Sequence, residues 1–535
     1  MRIAASRSAL LVVFPIRNPQ SPIRNAWRLI WALSASLALT AAAQAGAKAP
    51  SAPPPKAPPA PKGLDRQRLA EELKKLIESK PLRGARVGVA AMDLSTGDWL
   101  FESNADESLI VASNNKLPTT AAALELLGPG FEFRTSVMAW GKLTGGSGPP
   151  GKRAGATLEG DLAIVGRGDP SISGRLQGQG ARPTAVLEQW ADAVAAAGIK
   201  AVRGGIIADD SYFDRIHLHP EWPTGQQAAW YCAPVSALSF NDNCVLLTVR
   251  PGAKSGDPAI ATTDPPTAYV ELANTCTTSR ARVGNNRVLV HRRAGENRIS
   301  ISGDIRQQGA PFVSWVTVHE PALYCATVFR EVLAAKGISV GGPVRLLAPP
   351  LRPPAEAVEL AATTSTLKDA VEVANRNSQN FYAEQILKTL GREKAGRGTW
   401  PDGAAVVEKF LRQAGVKGTF SYRDGSGLAR SNRFSTRQLV QLLSYANGRR
   451  WGSVFLNSLA QPGEGTLSRR MDALKGRLFA KTGYIAGVSA LSGYVETQDK
   501  RLLAFAILVN DFRCGLADVR DFQDAFCLRL ADYAP

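Results

Sequence analysis

Residues that commonly bind metal ions are scarce in this sequence. Its 535 residues include four histidines and six cysteines, and no two cysteines have the Cys-X-X-Cys spacing of many zinc sites. His217 and His219 form a His-X-His pair, but no third ligand pattern lies near them, which favours an ordinary solvated loop. The sequence therefore predicts no metal site and no organic cofactor.

Clusters of Lys and Arg with interleaved aromatic residues are missing as well. Part of the formal net charge of +18 belongs to residues 1–63, which hold eight Lys or Arg and no acid, so that 18 − 8 = +10 is left for the rest. Because that excess is spread thinly, we expect no nucleic-acid partner. A mildly basic surface instead suits the anionic polymers of a cell wall.

The apolar run near the start is shorter than the roughly 20 residues that span a bilayer. Leu29 to Ala43 has 15 residues (43 − 29 + 1), preceded by Arg24 and Arg28 and followed by small residues. This pattern predicts a signal peptide over residues 1–47, export, and no stable membrane span after processing. An uncleaved anchor is the alternative, and an earlier apolar patch at 9–16 suggests a start codon downstream of Met1.

The even number of cysteines permits disulfides in an exported chain. Cys514 with Cys527, and Cys232 with Cys244, are the pairings we expect, because the members of each pair are close in sequence. Buried, unpaired thiols are the alternative.

A linker separates the leader from the folded body. Residues 48–63 are almost all Pro, Ala and Lys, which predicts an extended segment, and the body begins near Leu64. Hydrophobic periodicity predicts helices towards both ends of the body and a mostly β middle from about 135 to 309. The predicted elements are a helix around 69–77, a hairpin around 87–101, a helix from about 113 to 127, helices over 322–335 and 367–390, a hairpin of 488–495 with 502–509, and a C-terminal helix to about 533.

Ser113 and Lys116 lie at the predicted start of a helix, where residues i and i+3 share a face. A serine hydroxyl is a weak nucleophile until a base takes its proton, and a lysine can be that base when burial or a second cation lowers its pKa. The spacing alone is weak evidence, because Ser365 and Lys368 repeat it. Ser365 is better interpreted as the N-cap of the helix that follows.

Two further segments follow in the order that this chemistry needs. Ser378-Gln379-Asn380 lies at a polar-to-helix boundary, where a hydroxyl could relay protons and an amide could orient a peptide carbonyl. Lys481-Thr482-Gly483 precedes the last hairpin, on a predicted edge strand that faces the nucleophile. Its lysine would attract a substrate carboxylate and depress the pKa of Lys116, and its glycine lets substrate backbone come close.

With these three motifs the sequence resembles the penicillin-binding proteins and serine β-lactamases, and within them the low-molecular-mass class C penicillin-binding proteins, the D-Ala-D-Ala carboxypeptidase/endopeptidase type. The resemblance runs from about Leu64 to the C-terminus and includes a long insertion between the first two motifs, 378 − 113 = 265 residues, against 481 − 378 = 103 between the last two. Other family-like stretches are ASNNKLPTTAAALELLG, GRGDPSISG, NRNSQNFYAEQILKTLG, DGSGLARSN and KTGYIAGVSALSGYV.

The resemblance implies an α+β fold, with a serine β-lactamase/DD-peptidase-like domain, an antiparallel sheet flanked by helices, and mostly β inserted domains. The implied divisions are a catalytic domain of 64–135 and 311–535, an inserted domain II of 136–165 and 230–310, and an inserted domain III of 166–229. It also implies a periplasmic enzyme whose partners are peptidoglycan peptides and β-lactams.

By the same resemblance, Ser113 is acylated, Lys116 is the general base, and Ser378 passes the proton to the leaving amine. Asn380 would hold the acyl side chain, Lys481 with Thr482 would bind the terminal carboxylate, and the N–H groups of Ser113 and Tyr484 would form the oxyanion hole. The implied substrate-binding residues are Asn380, Lys481, Thr482, Gly483 and Tyr484. Pro118 departs from the family pattern, but within the first turn its missing N–H is tolerable.

Two other functions would use the same motifs. A β-lactamase or esterase would differ in the speed of deacylation, and class A β-lactamases resemble one another in a glutamate-bearing loop after the second motif, whereas Glu384 falls within a predicted helix. A non-catalytic, wall-binding penicillin sensor would keep the motifs as a binding cleft, but intact Ser113 and Lys116 argue against it. Asp424 to Gly427 is interpreted as a turn that could line the cleft.

Overall fold

The computed structural model describes residues 16–17, 63–146, 155–174, 182–280, 286–348 and 351–535, so all but two residues of the predicted signal peptide, and most of the linker, lie outside the described residues. Within these ranges, no helix combines the length and the hydropathy needed to cross a bilayer. The strands are β1 (Ile16–Arg17), β2 (Arg86–Asp93), β3 (Trp99–Ser103), β4 (Leu109–Ile110), β5 (Glu132–Thr144), β6 (Ala156–Gly166), β7 (Ile199–Val202), β8 (Ile206–Asp209), β9 (Cys244–Arg250), β10 (Ile260–Asp264), β11 (Glu271–Asn274), β12 (Thr277–Ser279), β13 (Arg287–Arg292), β14 (Arg298–Arg306), β15 (Phe312–Thr317), β16 (Ser339–Val340), β17 (Val344–Leu346), β18 (Val358–Thr366), β19 (Arg433–Phe434), β20 (Leu478–Ile485), β21 (Val488–Glu496) and β22 (Leu502–Asn510). The α-helices are α1 (Arg66–Ile77), α2 (Lys116–Leu126), α3 (Ala185–Ala196), α4 (Pro321–Ala335), α5 (Leu367–Arg376), α6 (Asn380–Ala395), α7 (Trp400–Gln413), α8 (Thr436–Asn447), α9 (Gly452–Ser458) and α10 (Leu516–Ala531).

A five-stranded antiparallel sheet with the order β20-β21-β22-β2-β3 carries the third sequence motif. Successive side chains of a strand point to opposite faces, and in β22 the two sets belong to different hydrophobic cores. Ala504, Ala506 and Leu508 lie in the larger core, which also contains α2, whereas Leu503 and Phe505 lie in the core beneath α1 and α10. Burial on both faces explains why this strand is a continuous apolar run, and the predicted hairpin of β21 with β22 is confirmed.

The two ends of the folded body are joined to each other. Asp65 caps α1 by accepting a hydrogen bond from the Arg68 N–H at 2.9 Å, and α1 packs against α10. The Leu64 N–H donates to the Asp532 carbonyl at 2.8 Å, and the Ala534 N–H donates to the Leu64 carbonyl at 2.9 Å. The predicted first and last helices are therefore confirmed, and they cover the same face of the sheet.

A second sheet of eight strands lies beside the first, in the order β1-β18-β5-β6-β7-β16, with β8 paired to β6 and β17. Smaller sheets combine β9, β10 and β15, and β11 to β14, so strands are the main regular element in the middle of the chain, with α3 as a helix that periodicity did not predict. The α+β architecture with antiparallel sheets is confirmed. The division into three domains stays a prediction, and strand pairing crosses its boundaries where β6 meets β7 and β8 and where β5 meets β18.

The helical pattern predicted over 367–390 belongs to two helices, because α5 ends at Arg376 and α6 begins at Asn380, and the predicted polar-to-helix boundary at Ser378-Gln379-Asn380 is confirmed. Ser378, between them, has a φ of 58°, a left-handed conformation that a right-handed helix cannot include. The N-cap of α5 was also predicted one residue early. The Thr366 hydroxyl accepts from the Asp369 N–H at 3.2 Å, while the Ser365 hydroxyl donates to the Asp169 carboxylate at 2.7 Å.

Both predicted disulfides are wrong, because none of the six cysteines forms a disulfide bond. Cys232 and Cys244 lie in the larger hydrophobic core and Cys527 lies in the core beneath α10, so these thiols pack as small apolar side chains. Burial raises the pKa of the Cys232 thiol to about 12, which keeps it protonated and unreactive. The alternative of thiols without disulfide bonds is the observed one, and five of the six are buried.

Candidate active site

Ser113 lies in a short 3₁₀ turn, residues 112–115, between β4 and α2. The backbone before it is strained, because the fully buried Ala112 has a φ of 44°, which residues other than glycine rarely adopt. Asn510 at the end of β22 holds the preceding strand by accepting from the Ile110 N–H at 2.8 Å and donating to the Ile110 carbonyl at 3.0 Å. A strained conformation that the surroundings maintain in this way is typical of functional turns.

Lys116 is fully buried, and its amine has three close partners. Lys116 Nζ lies 3.0 Å from Ser113 Oγ, 2.7 Å from Asn380 Oδ1 and 2.9 Å from the Ser426 carbonyl oxygen. A charged ammonium would donate one hydrogen bond to each of the three partners. A neutral amine would donate to the amide and the carbonyl and keep its lone pair for the serine proton, so the same geometry suits a base.

Burial lowers the pKa of Lys116 to about 7, although the nearby Glu384 and Asp424 carboxylates oppose this shift. A substantial fraction of the amine is therefore uncharged near neutral pH. Burial is the cause of this lowering, and the expected contribution of Lys481 to it is not among the causes. Burial and the charge of Lys116 together hold the pKa of Lys481 well below its usual range.

The third motif lies on β20, the outermost strand of the five-stranded sheet, as predicted. Lys481 is fully buried, and its amine donates to the Thr482 carbonyl at 2.8 Å. The Asn114 side chain donates to the Lys481 carbonyl at 2.8 Å and thereby ties the nucleophile turn to this strand. A Cβ added to Gly483 would lie 3.0 Å from the Ser113 nitrogen, so a side chain at this position would press on the turn.

The second motif lies where α5 gives way to α6. Asn380 is the first residue of α6, and its amide nitrogen donates to the Tyr231 carbonyl at 2.9 Å while its oxygen accepts from Lys116. Gln379 donates to the Asp242 carboxylate at 2.9 Å. These contacts anchor the connection that presents Ser378, which is half-buried.

Five of the predicted site residues meet at one place. Ser113, Lys116 and Asn380 are joined by hydrogen bonds, and Lys481 and Gly483 lie against the same turn. In the described part of the chain the other three, Ser378, Thr482 and Tyr484, are not hydrogen-bonded to Ser113 or Lys116. Thr482 instead donates to the Thr466 hydroxyl at 2.8 Å, and the Tyr484 side chain is 53% exposed.

Sequence reasoning interpreted residues 424–427 as a turn that could line the cleft, but it did not identify the Ser426 carbonyl as a partner of the base. The Ser426 carbonyl is one of the three partners of Lys116, and two buried carboxylates, Glu384 and Asp424, hold the loop. Every residue has a backbone carbonyl, so the sequence does not indicate which carbonyl takes part in a site. The available signal was Glu384 itself, a charged residue on the helix face that also carries Ala383 and Leu387, both fully buried.

The histidine pair is not a solvated loop, and this interpretation is corrected. His219 is buried against the rings of Trp222 and Trp400, and the His217 side chain is 9% exposed near Asp210 and Glu320. Among the described residues no group of three or more potential metal-binding side chains comes together.

A buried lysine bonded to a serine at the start of a helix, beside a Lys-Thr-Gly edge strand of an antiparallel sheet, defines a serine hydrolase of the penicillin-binding protein and β-lactamase class. The profile of the D-Ala-D-Ala carboxypeptidase 3 (S13) family matches residues 69–533. The chain therefore belongs to this family and is a serine-type peptidase.

Comparisons with individual proteins agree with this family. A D-alanyl-D-alanine carboxypeptidase from Actinomadura sp. (strain R39) is 36% identical over 481 residues, covering 87% of this chain and 85% of that protein. The crystal structure of penicillin binding protein 4 from Haemophilus influenzae has a TM-score of 0.72 at 23% identity, covering 86% of this chain and 99% of that one. A complex of the same protein with a β-lactam has a TM-score of 0.67 at 21% identity and covers the same shares of both chains.

Proposed function

We propose that this chain is a periplasmic D,D-peptidase that cleaves D-Ala-D-Ala termini, cross-links of peptidoglycan, or both, through an acyl-enzyme on Ser113. The observation that carries the proposal is the 3.0 Å contact between Ser113 Oγ and the fully buried Lys116 amine. Burial keeps that amine partly uncharged at neutral pH, and an uncharged amine can take the serine proton.

The acylation step moves one proton and exchanges one bond. Ser113 Oγ attacks the carbonyl carbon of the penultimate D-Ala while its proton passes to Lys116 Nζ, which gives a tetrahedral oxyanion. The N–H groups of Ser113 and Tyr484 stabilise that oxyanion. The C–N bond then breaks, the leaving amine receives a proton through Ser378, and an ester on Ser113 remains. Water hydrolyses the ester and regenerates the serine.

The remaining predicted residues bind the substrate. The amide of Asn380, fixed at the start of α6, faces the acyl side chain, and its contact with Lys116 couples substrate binding to the base. Lys481 and Thr482 attract the terminal carboxylate, and the low pKa of Lys481 rises when that anion binds, so the cation forms where it is needed. Peptidoglycan peptides and β-lactams are the ligands of this site.

Penicillin inhibits the enzyme by acylating the same serine. The β-lactam complex of Haemophilus influenzae penicillin binding protein 4, a protein of the same fold, supports this part of the proposal. Periplasmic location rests on the leader predicted for residues 1–47. We assign no nucleic acid, metal, cofactor or membrane span of the mature chain to this function.

The test measures labelling by a fluorescent penicillin and release of D-Ala from a pentapeptide. The purified protein should form a stable adduct, mass spectrometry should place it on Ser113, and Ser113→Ala should abolish both signals. Lys116→Ala should reduce the acylation rate about 10²- to 10⁴-fold. Lys368→Ala is the matched control, because Lys368 has the same spacing from a serine but is exposed, and it should label as the unchanged protein does.

Three outcomes would contradict the proposal in different ways. Rapid release of the penicillin label, with turnover of the drug, would indicate a β-lactamase. Stable labelling without D-Ala release from a pentapeptide or cleavage of a cross-linked dimer would indicate a penicillin sensor. Absence of labelling in a folded protein would rule out a competent serine.

A further inference from the structure

The Glu384 carboxylate is fully buried one helical turn after Asn380 on α6, and the mechanism above does not use it. Its oxygens accept from the N–H groups of Gly425 at 2.9 Å and Ser426 at 2.8 Å, and from the Trp400 indole at 2.8 Å. Three donors on one buried carboxylate form a built site for a negative charge. Since two of the donors are successive backbone groups, the carboxylate fixes the course of the 424–427 loop.

A second carboxylate holds the same loop from its other end. Asp424 accepts from the N–H groups of Gly427 and Ala429, both at 2.7 Å, and from the Trp222 indole at 2.8 Å. Side chains of the nucleophile segment bind backbone carbonyls of the loop. The Asn115 amide donates to the Asp424 carbonyl at 2.6 Å, and the Thr119 hydroxyl donates to the Gly425 carbonyl at 2.7 Å. The loop and the start of α2 therefore form one hydrogen-bonded unit.

The position of the loop determines the position of the Ser426 carbonyl, which accepts from Lys116 Nζ at 2.9 Å. Because Glu384 binds the N–H of this same residue, any movement of the carboxylate moves the acceptor of the base. Glu384 thus acts on Lys116 in two ways, by placing one of its three partners and by its own negative charge.

Several charged groups surround this pair. Lys116 faces Glu384 on α6, Asp424 on the loop and Lys481 on β20. Glu384 also faces Lys388 one turn along α6 and the buried Tyr422 hydroxyl. Burial and the Asp424 charge raise the pKa of Glu384 to about 7, the same region in which Lys116 titrates.

We propose that Glu384 is a positioning residue for acylation, which fixes the 424–427 loop and through it both the orientation and the charge of the Lys116 amine. The inference rests on the proposed function, since it assigns Glu384 to the base of that reaction. It predicts that the carboxylate stabilises the charged form of Lys116 and that its geometry keeps the neutral form aimed at Ser113.

The test is the pH profile of the acylation rate with a fluorescent penicillin, measured across neutral pH on the full protein. Glu384→Gln removes the negative charge. It also replaces one carboxylate oxygen, which accepts from a loop N–H, by an amide nitrogen, which cannot accept that hydrogen bond. The acidic limb of the profile is the pH range over which the rate rises as Lys116 loses its proton. It should move to lower pH by about half a unit or more, because removal of the neighbouring negative charge lowers the pKa of Lys116. The rate on the plateau should fall about ten-fold or more, because the loop acceptor is displaced.

Glu384→Asp separates the two roles. It keeps the charge but withdraws the carboxylate by one methylene, so the plateau should fall while the acidic limb stays within about 0.3 pH units of the unchanged protein. Trp400→Phe is the milder variant if Glu384→Gln does not fold. It removes one donor from the carboxylate, which raises the pKa of Glu384, and should move the limb in the same direction by a smaller amount.

Asp169→Asn is the matched control, since Asp169 is also a buried carboxyl with a raised pKa but binds Ser365 and Ser171 instead of the loop. It should leave the limb unchanged. If Glu384→Gln has the midpoint and plateau of Asp169→Asn, the positioning role is wrong even though Ser113 still labels. If the unchanged protein does not label at any pH, the proposed function itself fails, so the two failures are distinguishable.

Discussion

Gly427 is the position in the site at which an added methyl group should disturb the backbone most. Its φ is +85°, and an added Cβ would lie 1.8 Å from the Ala112 carbonyl oxygen and 2.5 Å from the carbon of that carbonyl. The left-handed conformation costs an alanine about 1–2 kcal/mol, and the overlap forces backbone apart, which adds about 1–3 kcal/mol. Gly427→Ala should therefore destabilise the protein by about 2–5 kcal/mol in urea unfolding.

The same overlap should slow acylation by a larger factor than global stability explains. Ala112 precedes the nucleophile and Ser426 precedes Gly427, so separating the two segments moves both ends of the Ser113–Lys116–Ser426 contact. A displacement of about 1 Å can cost about 10²-fold in rate, and we expect a loss of that order in the penicillin assay under conditions where the variant is folded.

Gly415→Ala isolates the contribution of the overlap. Gly415 has a φ of +81°, but an added Cβ there has no atom within 4 Å, so the variant carries the conformational cost without the collision. It should lose about 1–2 kcal/mol and keep its acylation rate. Equal stability and equal rates for the two variants would refute the argument that Gly427 is required by close approach to Ala112.

Three further predictions use different measurements. Since burial lowers the pKa of Lys116 to about 7, acylation by penicillin should rise with pH through that region and be lost as the amine gains its proton below it; a rate independent of pH between about 6 and 8 would contradict the assignment of the base. Without reductant, iodoacetamide should label all six thiols of the unfolded protein and none of the five buried ones in the native state, and a mass that lacks two hydrogens would reveal a disulfide. Asn510→Ala should destabilise the protein by about 2–4 kcal/mol in urea and slow acylation, because it leaves the buried N–H and carbonyl of Ile110 without partners; unchanged stability would show that strand β4 does not depend on this side chain.

Much of the fold and half of the site could be predicted from sequence alone. Ser113, Lys116 and Lys481 are side chains with distinct chemistry at recognisable spacings, and the apolar run of β22 reports burial on two faces. Hydrophobic periodicity did not predict the backbone conformation where a residue other than glycine adopts a positive φ. Ser378 has such a φ between α5 and α6, and the polar composition of this segment indicated a boundary but not the left-handed conformation.

Other parts of the site depend on contacts that no local pattern encodes. The Ser426 carbonyl, the donors on Glu384 and the burial of His219 arise from segments that are distant in sequence and meet only after folding. Pairing cysteines by closeness in sequence failed for a related reason. Cys232 and Cys244 belong to the hydrophobic core, where apolar packing accounts for both residues.

The strand order of the five-stranded sheet has a consequence for biosynthesis. β2 pairs with β3 and β22, and β22 begins about 400 residues after β2 ends (502 − 93 = 409). Nascent β2 therefore lacks one of its neighbours while the intervening residues are translated, and Lys481 reaches the serine turn only late in that interval. Contacts of such long range form slowly, so the five-stranded sheet, and with it the hydrolytic capacity, is completed only after β22 has been synthesised.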